Sequence, residues 1–177
     1  MLKRDGLPAR LRTRIQLISD RLDHISRAVC VVLILFMALE VIMAVFFRYV
    51  LFAPLRWGEE MARLMMMWIG MLGIAIALKD GDHIGIETVV SRLNKRQCAW
   101  CNLICHLLVS VFLVILFYFG LLQAIRAWNI ILPALLIPWT WPMLAVPCAT
   151  VVQLVHLVPM ILDEIDVILD RSSSVEK

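Results

Sequence analysis

The sequence predicts an all-α membrane protein: four transmembrane helices with both termini on one side, preceded by an amphipathic interfacial helix. Four long apolar stretches carry the prediction. Residues 29–47 hold one charge, Glu40, and residues 64–78, 98–125 and 127–162 hold no Asp, Glu, Lys or Arg. A span needs about 20 mainly apolar residues, and within lipid each backbone N–H and C=O must be bonded internally, so each stretch is expected to be a helix. Composition agrees, since 62% hydrophobic residues and a mean hydropathy of +0.89 lie above the range of soluble domains. Charge placement supplies the orientation. Thirteen of the 17 Lys and Arg fall in residues 1–27, 79–97 and 163–177. The positive-inside rule places these segments in the cytoplasm and the turns near 51–60 and 127–138 outside. Each basic cluster abuts a membrane segment, so nucleic acid is not expected as a partner.

One membrane domain over residues 1–177 is expected. In residues 1–27, Leu7, Leu11, Ile15, Ile18, Leu22 and Ile25 recur at helical spacing and continue to Val29, with Arg10, Arg12, Arg14, Arg21 and Arg27 off the stripe. That pattern predicts a helix lying at the cytoplasmic interface against anionic lipid headgroups. The apolar run that follows is longer than a signal-peptide core and has no small-residue cleavage pattern, so a cleaved secretory signal is not expected. Helix one is expected over 28–51, with Pro54 in the outer turn, and helix two over 57–78, where Gly70, Gly73 and Ala77 offer a small-residue face for close packing. Residues 79–97 form a cytoplasmic loop with an interfacial character. Helix three, 98–128, is longer than a bilayer requires and must tilt or project. Helix four covers 139–162, with Pro147 and Pro159 as kink points, and 163–177 forms a solvated acidic tail. Trp57, Trp128, Trp139 and Trp141 fall together at the outer boundary.

Few residues could carry chemistry. Glu40 is the costliest group in the membrane, and helix rise places it about 18 Å from the cytoplasmic end of helix one, near the depth of Gln153. A contact between Glu40 and Gln153 is geometrically possible; a polar tie between helices or to another subunit is the preferred reading, and a proton or cation relay is the sharper one. His106 and His156 fall at one expected depth on antiparallel helices, as bis-histidine haem ligation would require. A haem- or quinone-binding membrane anchor is therefore carried as the alternative function. Cys98, Cys101 and Cys105 share a helix face, but Asn102 after Cys101 breaks the c-type haem motif, and all five cysteines are read as buried thiols. No metal or cofactor is expected. Glu59 and Glu60 sit beside Arg56 and Arg63, which suggests local ion pairing, and no arrangement for nucleophilic or acid–base catalysis is present. An enzyme is not expected.

One set of residues does resemble a known family. Arg48-Tyr49-Val50, Pro54-Leu55, Trp57, Glu59-Glu60, Trp68, Gly70, Gly73 and His83-Ile84, in that order, resemble the small membrane subunit of tripartite ATP-independent periplasmic (TRAP) transporters. Leu136-Ile137-Pro138-Trp139 and Pro147 look like the start of its fourth helix, so the resemblance spans roughly residues 30–160. It implies a bacterial inner-membrane subunit that braces a large, sodium-coupled, elevator-type permease, to which a periplasmic binding protein delivers an organic acid such as a C4-dicarboxylate or sialic acid. It also makes Arg48, Tyr49, Arg56, Trp57, Glu59, Glu60, Gly70, Gly73 and His83 candidates for partner contact. Glu40 is not part of that pattern.

Overall fold

A computed structural model of the chain describes residues 9–81 and 95–175, with side chains from 12–81 and 98–169. His83 and most of the expected interfacial loop lie outside the described residues. The elements are α1 (Ala9–Tyr49), α2 (Gly58–Asp80), α3 (Lys95–Arg126), a 3-10 turn (Ala127–Asn129), α4 (Thr140–Met143) and α5 (Ala145–Val175). Among the described residues, four segments are long and apolar enough to cross a membrane: Arg12–Tyr49, Gly58–Asp80, Cys98–Asn129 and Thr140–Leu169.

The first of these differs from expectation. α1 is one helix of 41 residues, about 60 Å at the α-helical rise, with no break near Ala28. No Gly or Pro occurs between Ala9 and Tyr49, so nothing in the backbone separates an interfacial helix from a span. The helix stops where Phe52 takes a left-handed conformation (φ 53°), two residues before Pro54. Within the chain the helix buries a mainly polar face and leaves the apolar stripe outside. Ser19, Asp23, Ser26 and Cys30 are buried, whereas Ile18, Ile25 and Val29 of the apolar stripe are exposed.

α5 holds the centre. In its most apolar 18-residue stretch 44% of residues are buried, against 6% in that of α3, because α5 packs on α1, α2 and α3. Leu113 of α3 joins Leu157 and Met160 of α5 in one core cluster, and Cys30, Leu72 and Ala149 tie α1, α2 and α5 in another. Gly120 permits the α3–α5 approach, since a Cβ there would lie 2.7 Å from Val146 Cγ1. Pro147 falls in the first turn of α5, where its missing N–H leaves no broken bond, while Pro159 lies inside the helix. Cys30 is buried, but Cys101, Cys105 and Cys148 are exposed free thiols on the bundle surface rather than buried ones.

Candidate functional site

Two polar layers bracket the apolar bundle. At the Asp80 end, Lys79 Nζ lies 2.9 Å from Asp20 Oδ1 and 3.5 Å from Asp23 Oδ2. Arg27 reaches Asp23 at 3.0 Å and Asp80 at 2.6 Å. Asp20, Asp23 and Arg27 are spaced three and four apart on α1, so one helix face meets the last turn of α2. A 2.7 Å hydrogen bond between Ser19 Oγ and His156 Nδ1 carries the layer on to α5. Beyond it, Arg12 pairs with Asp163 and Asp166, and His106 Nδ1 lies 3.3 Å from Glu164 Oε2. The acidic segment after Leu162 is therefore partly an intramolecular docking strip for α1 and α3, not only a solvated tail.

At the Gly58 end the organising group is Glu60. Its carboxylate accepts hydrogen bonds from the backbone N–H groups of Ala134 (3.0 Å) and Leu135 (2.9 Å). This anchors the apolar turn between the 3-10 turn and α4, which is closed by Leu132 N–H to Ile137 O at 2.9 Å and Trp139 N–H to Ile130 O at 2.7 Å. Leu136 sits at its corner with φ 56°. Thr140 Oγ1 donates to Ala124 O at 3.0 Å, fixing α4 to α3. On α2, Glu60 and Lys79 are nineteen residues apart, about 29 Å of helix, which matches a hydrocarbon core of about 30 Å.

Register then places the polar residues singled out from the sequence. α1 and α2 run antiparallel, with Asp20 opposite Lys79, Cys30 Sγ 4.0 Å from Ile69 O, and Glu40 against Gly58. Glu40 is thus level with the start of α2 rather than with the middle of the bundle. A Cβ on Gly58 would lie 2.5 Å from Glu40 Oε1, so glycine makes room for this buried carboxylate. The possible contact with Gln153 does not form: neither Glu40 oxygen nor Gln153 Nε2 has a hydrogen-bond partner among the described residues. Gln153 lies on α5 between Ala149, which clusters with Cys30, and His156, which bonds Ser19, whereas Glu40 is ten residues past Cys30. That separation is about 15 Å of helix. Sequence counting erred because it started helix one at Ala28.

The histidines are offset as well. His106 meets Glu164, eight residues and about 12 Å along α5 from His156, so the two imidazoles do not converge as a haem-ligand pair. Among the described residues no group of three or more His, Cys, Asp or Glu is placed to hold a metal. Gly70 is exposed, Gly73 half-buried, and a Cβ on either would meet nothing within 4 Å, so this small-residue face is turned away from the chain's own helices. Arg48 lies 5.9 Å from the Tyr49 ring centroid, and Arg48, Tyr49, Arg56 and Glu59 are exposed at the Gly58 end, with Trp57 half-buried among them. The residues that sequence reasoning missed are Ser19, Asp20, Asp23 and Lys79. For Asp20 and Asp23 the signal is the acidic and basic spacing of 20–27, whereas Ser19 and Lys79 carry none in the local sequence.

The sequence matches the family described as "Tripartite ATP-independent periplasmic transporters, DctQ component" over residues 37–166, more than half of the chain. It is 32% identical over 74 residues to the sialic acid TRAP transporter permease protein SiaT of Haemophilus influenzae (strain 86-028NP), covering 42% of this chain and 12% of that protein. It is 37% identical over 49 residues to the sialic acid TRAP transporter small permease protein SiaQ of Vibrio cholerae serotype O1 (strain ATCC 39315 / El Tor Inaba N16961), covering 28% of each. The matched stretches thus span well under two thirds of either relative's length. A family match through all four apolar helices, on a fold whose charges gather into two layers about a bilayer's thickness apart, makes this chain a multi-pass membrane protein that belongs to the DctQ family, the non-enzymatic small permease component of TRAP transporters.

Proposed function

We propose that this chain acts as a brace in a sodium-coupled importer of an organic acid, holding a large elevator-type permease subunit and helping to dock a periplasmic binding protein. The observation that carries the reading is the small set of polar side chains buried within the apolar part of the bundle among the described residues. Between the two charged layers, the buried polar side chains Thr150 and Gln153 lie on one helix, packed among α5's neighbours. Such a set offers little to coordinate an organic anion and its cations. The outward-turned Gly70 and Gly73 face supports a helical partner alongside α2. The exposed Arg48, Tyr49, Arg56 and Glu59 support a soluble partner at the Gly58 end, and His83 remains a candidate from the sequence pattern alone.

In this reading the Gly58 end faces the periplasm, the Asp80 end faces the cytoplasm of a bacterial inner membrane, and both termini are cytoplasmic. A sialic acid is the first substrate to test, because the two relatives are named for it; a C4-dicarboxylate is the second. Proteoliposomes holding the chain alone should take up neither solute under a sodium gradient. Adding the large subunit and the binding protein should restore uptake of one of them. Uptake by the chain alone would refute the bracing role.

A further inference from the structure

The half of α1 that packs against α2 and α5 also exposes a second face, and its composition is one-sided. At 100° per residue, Arg14, Leu17, Ile18, Arg21, Ile25 and Val29 fall within about a third of the helix circumference, opposite the buried Ser19, Asp23 and Cys30. The two acidic residues of this segment point elsewhere: Asp20 is held by Lys79, and Asp23 by Arg27 and Lys79. The outward face is therefore free of carboxylates, and neither Arg14 nor Arg21 has an ion-pair partner among the described residues. Leu17, Ile18 and Ile25 are 52%, 53% and 60% exposed.

Position selects the occupant. Arg21 follows Asp20, whose partner Lys79 closes α2, so Arg21 stands where the helices leave the apolar slab. Ile25 and Val29 lie on the slab side and continue the lipid-facing surface of the span through Val32. Arg14 lies two turns, about 10 Å, farther out, within reach of a headgroup layer for a tilted helix with a long side chain. We propose that this face binds anionic phospholipid, with Arg14 and Arg21 taking headgroup phosphates and the aliphatic side chains resting on acyl chains. The alternating arginines then fix the depth and tilt of a helix that is too long to stand upright in a bilayer. The inference rests on membrane insertion and on the register of α1, not on the transport reading or its orientation.

The test uses the full chain in nanodiscs of equimolar phosphatidylglycerol and phosphatidylcholine, with retained lipid counted by native mass spectrometry. An arginine near an anionic surface contributes about fivefold to partition, so Arg14→Gln with Arg21→Gln should lower phosphatidylglycerol retention roughly thirtyfold. Arg14→Lys with Arg21→Lys should keep most of it. Equal retention by the glutamine variant and the wild type overturns the proposal. A photo-crosslinking residue at Ile18, with both arginines intact, should add phospholipid mass in native membranes. A polypeptide adduct as the main product would assign the face to a protein and overturn it as well.

Discussion

Replacing Glu60 with alanine should release the turn between α3 and α4 while leaving the four long helices in place. The carboxylate accepts from two backbone N–H groups, Ala134 and Leu135, at 3.0 and 2.9 Å. Hydrogen bonds to a charged group contribute about 1.5–3 kcal/mol each, and the lower end applies because Glu60 is half-exposed. The same turn holds Leu136 at φ 56°, a conformation that disfavours a residue with a Cβ by about 1–2 kcal/mol. Once the clamp is gone, that strain favours opening. A local loss of about 2 kcal/mol corresponds to roughly thirtyfold faster amide exchange through local opening. Hydrogen–deuterium exchange of the peptide containing residues 130–138 reads this directly. Leu136→Gly in the Glu60→Ala background should recover about 1 kcal/mol by removing the left-handed strain. Unchanged exchange in Glu60→Ala, or no recovery with glycine, would refute the argument that the carboxylate holds a strained turn.

Three further outcomes follow from the packing and the proposed contacts. Gly120→Ala should destabilise the subunit by about 1–3 kcal/mol, seen as a lower thermal midpoint in detergent, because the new Cβ meets Val146 at 2.7 Å; Val146→Ala should restore it. Gly70→Ala with Gly73→Ala should leave the isolated subunit no less stable, since nothing stands within 4 Å of either new Cβ. The same pair should reduce co-purification with the large subunit, and full co-purification would detach this face from partner binding. Glu59→Lys should lower binding-protein-dependent uptake without dissociating the membrane complex, because Glu59 is exposed and makes no clamp; unchanged kinetics would remove it from the docking surface.

The four spans were legible because lipid imposes a strong and nearly one-dimensional rule on composition. Residues 98–125 without a single Asp, Glu, Lys or Arg can only be satisfied as a helix within a membrane. Turn chemistry was legible in part. Pro54 correctly marks the turn after α1, but the left-handed Phe52 and Leu136 carry no glycine or asparagine signature that sequence rules could read. Depth was the least legible property. Glu40 and Gln153 look level only when each is counted from the assumed cytoplasmic end of its own helix; the register is set by Lys79 with Asp20, and by Ser19 with His156, between elements that are remote in sequence. Glu60 shows the same limit. Its neighbours Arg56 and Arg63 suggested ion pairing, while its actual partners lie 74 and 75 residues away.

The inward polar face of α1 has a physical cause that bears on any helix crossing a membrane boundary. In water an apolar stripe must be covered by protein, so periodicity names the packed face. Beside a bilayer the solvent itself accepts that stripe, and burial against protein gains little for Ile18, Ile25 or Val29. The groups that need protein are the charged ones, because Asp23 near lipid without Arg27 and Lys79 would carry an uncompensated charge. Polar residues therefore turn inward to one another and apolar residues outward, and the stripe marks where lipid lies rather than where α2 and α5 lie.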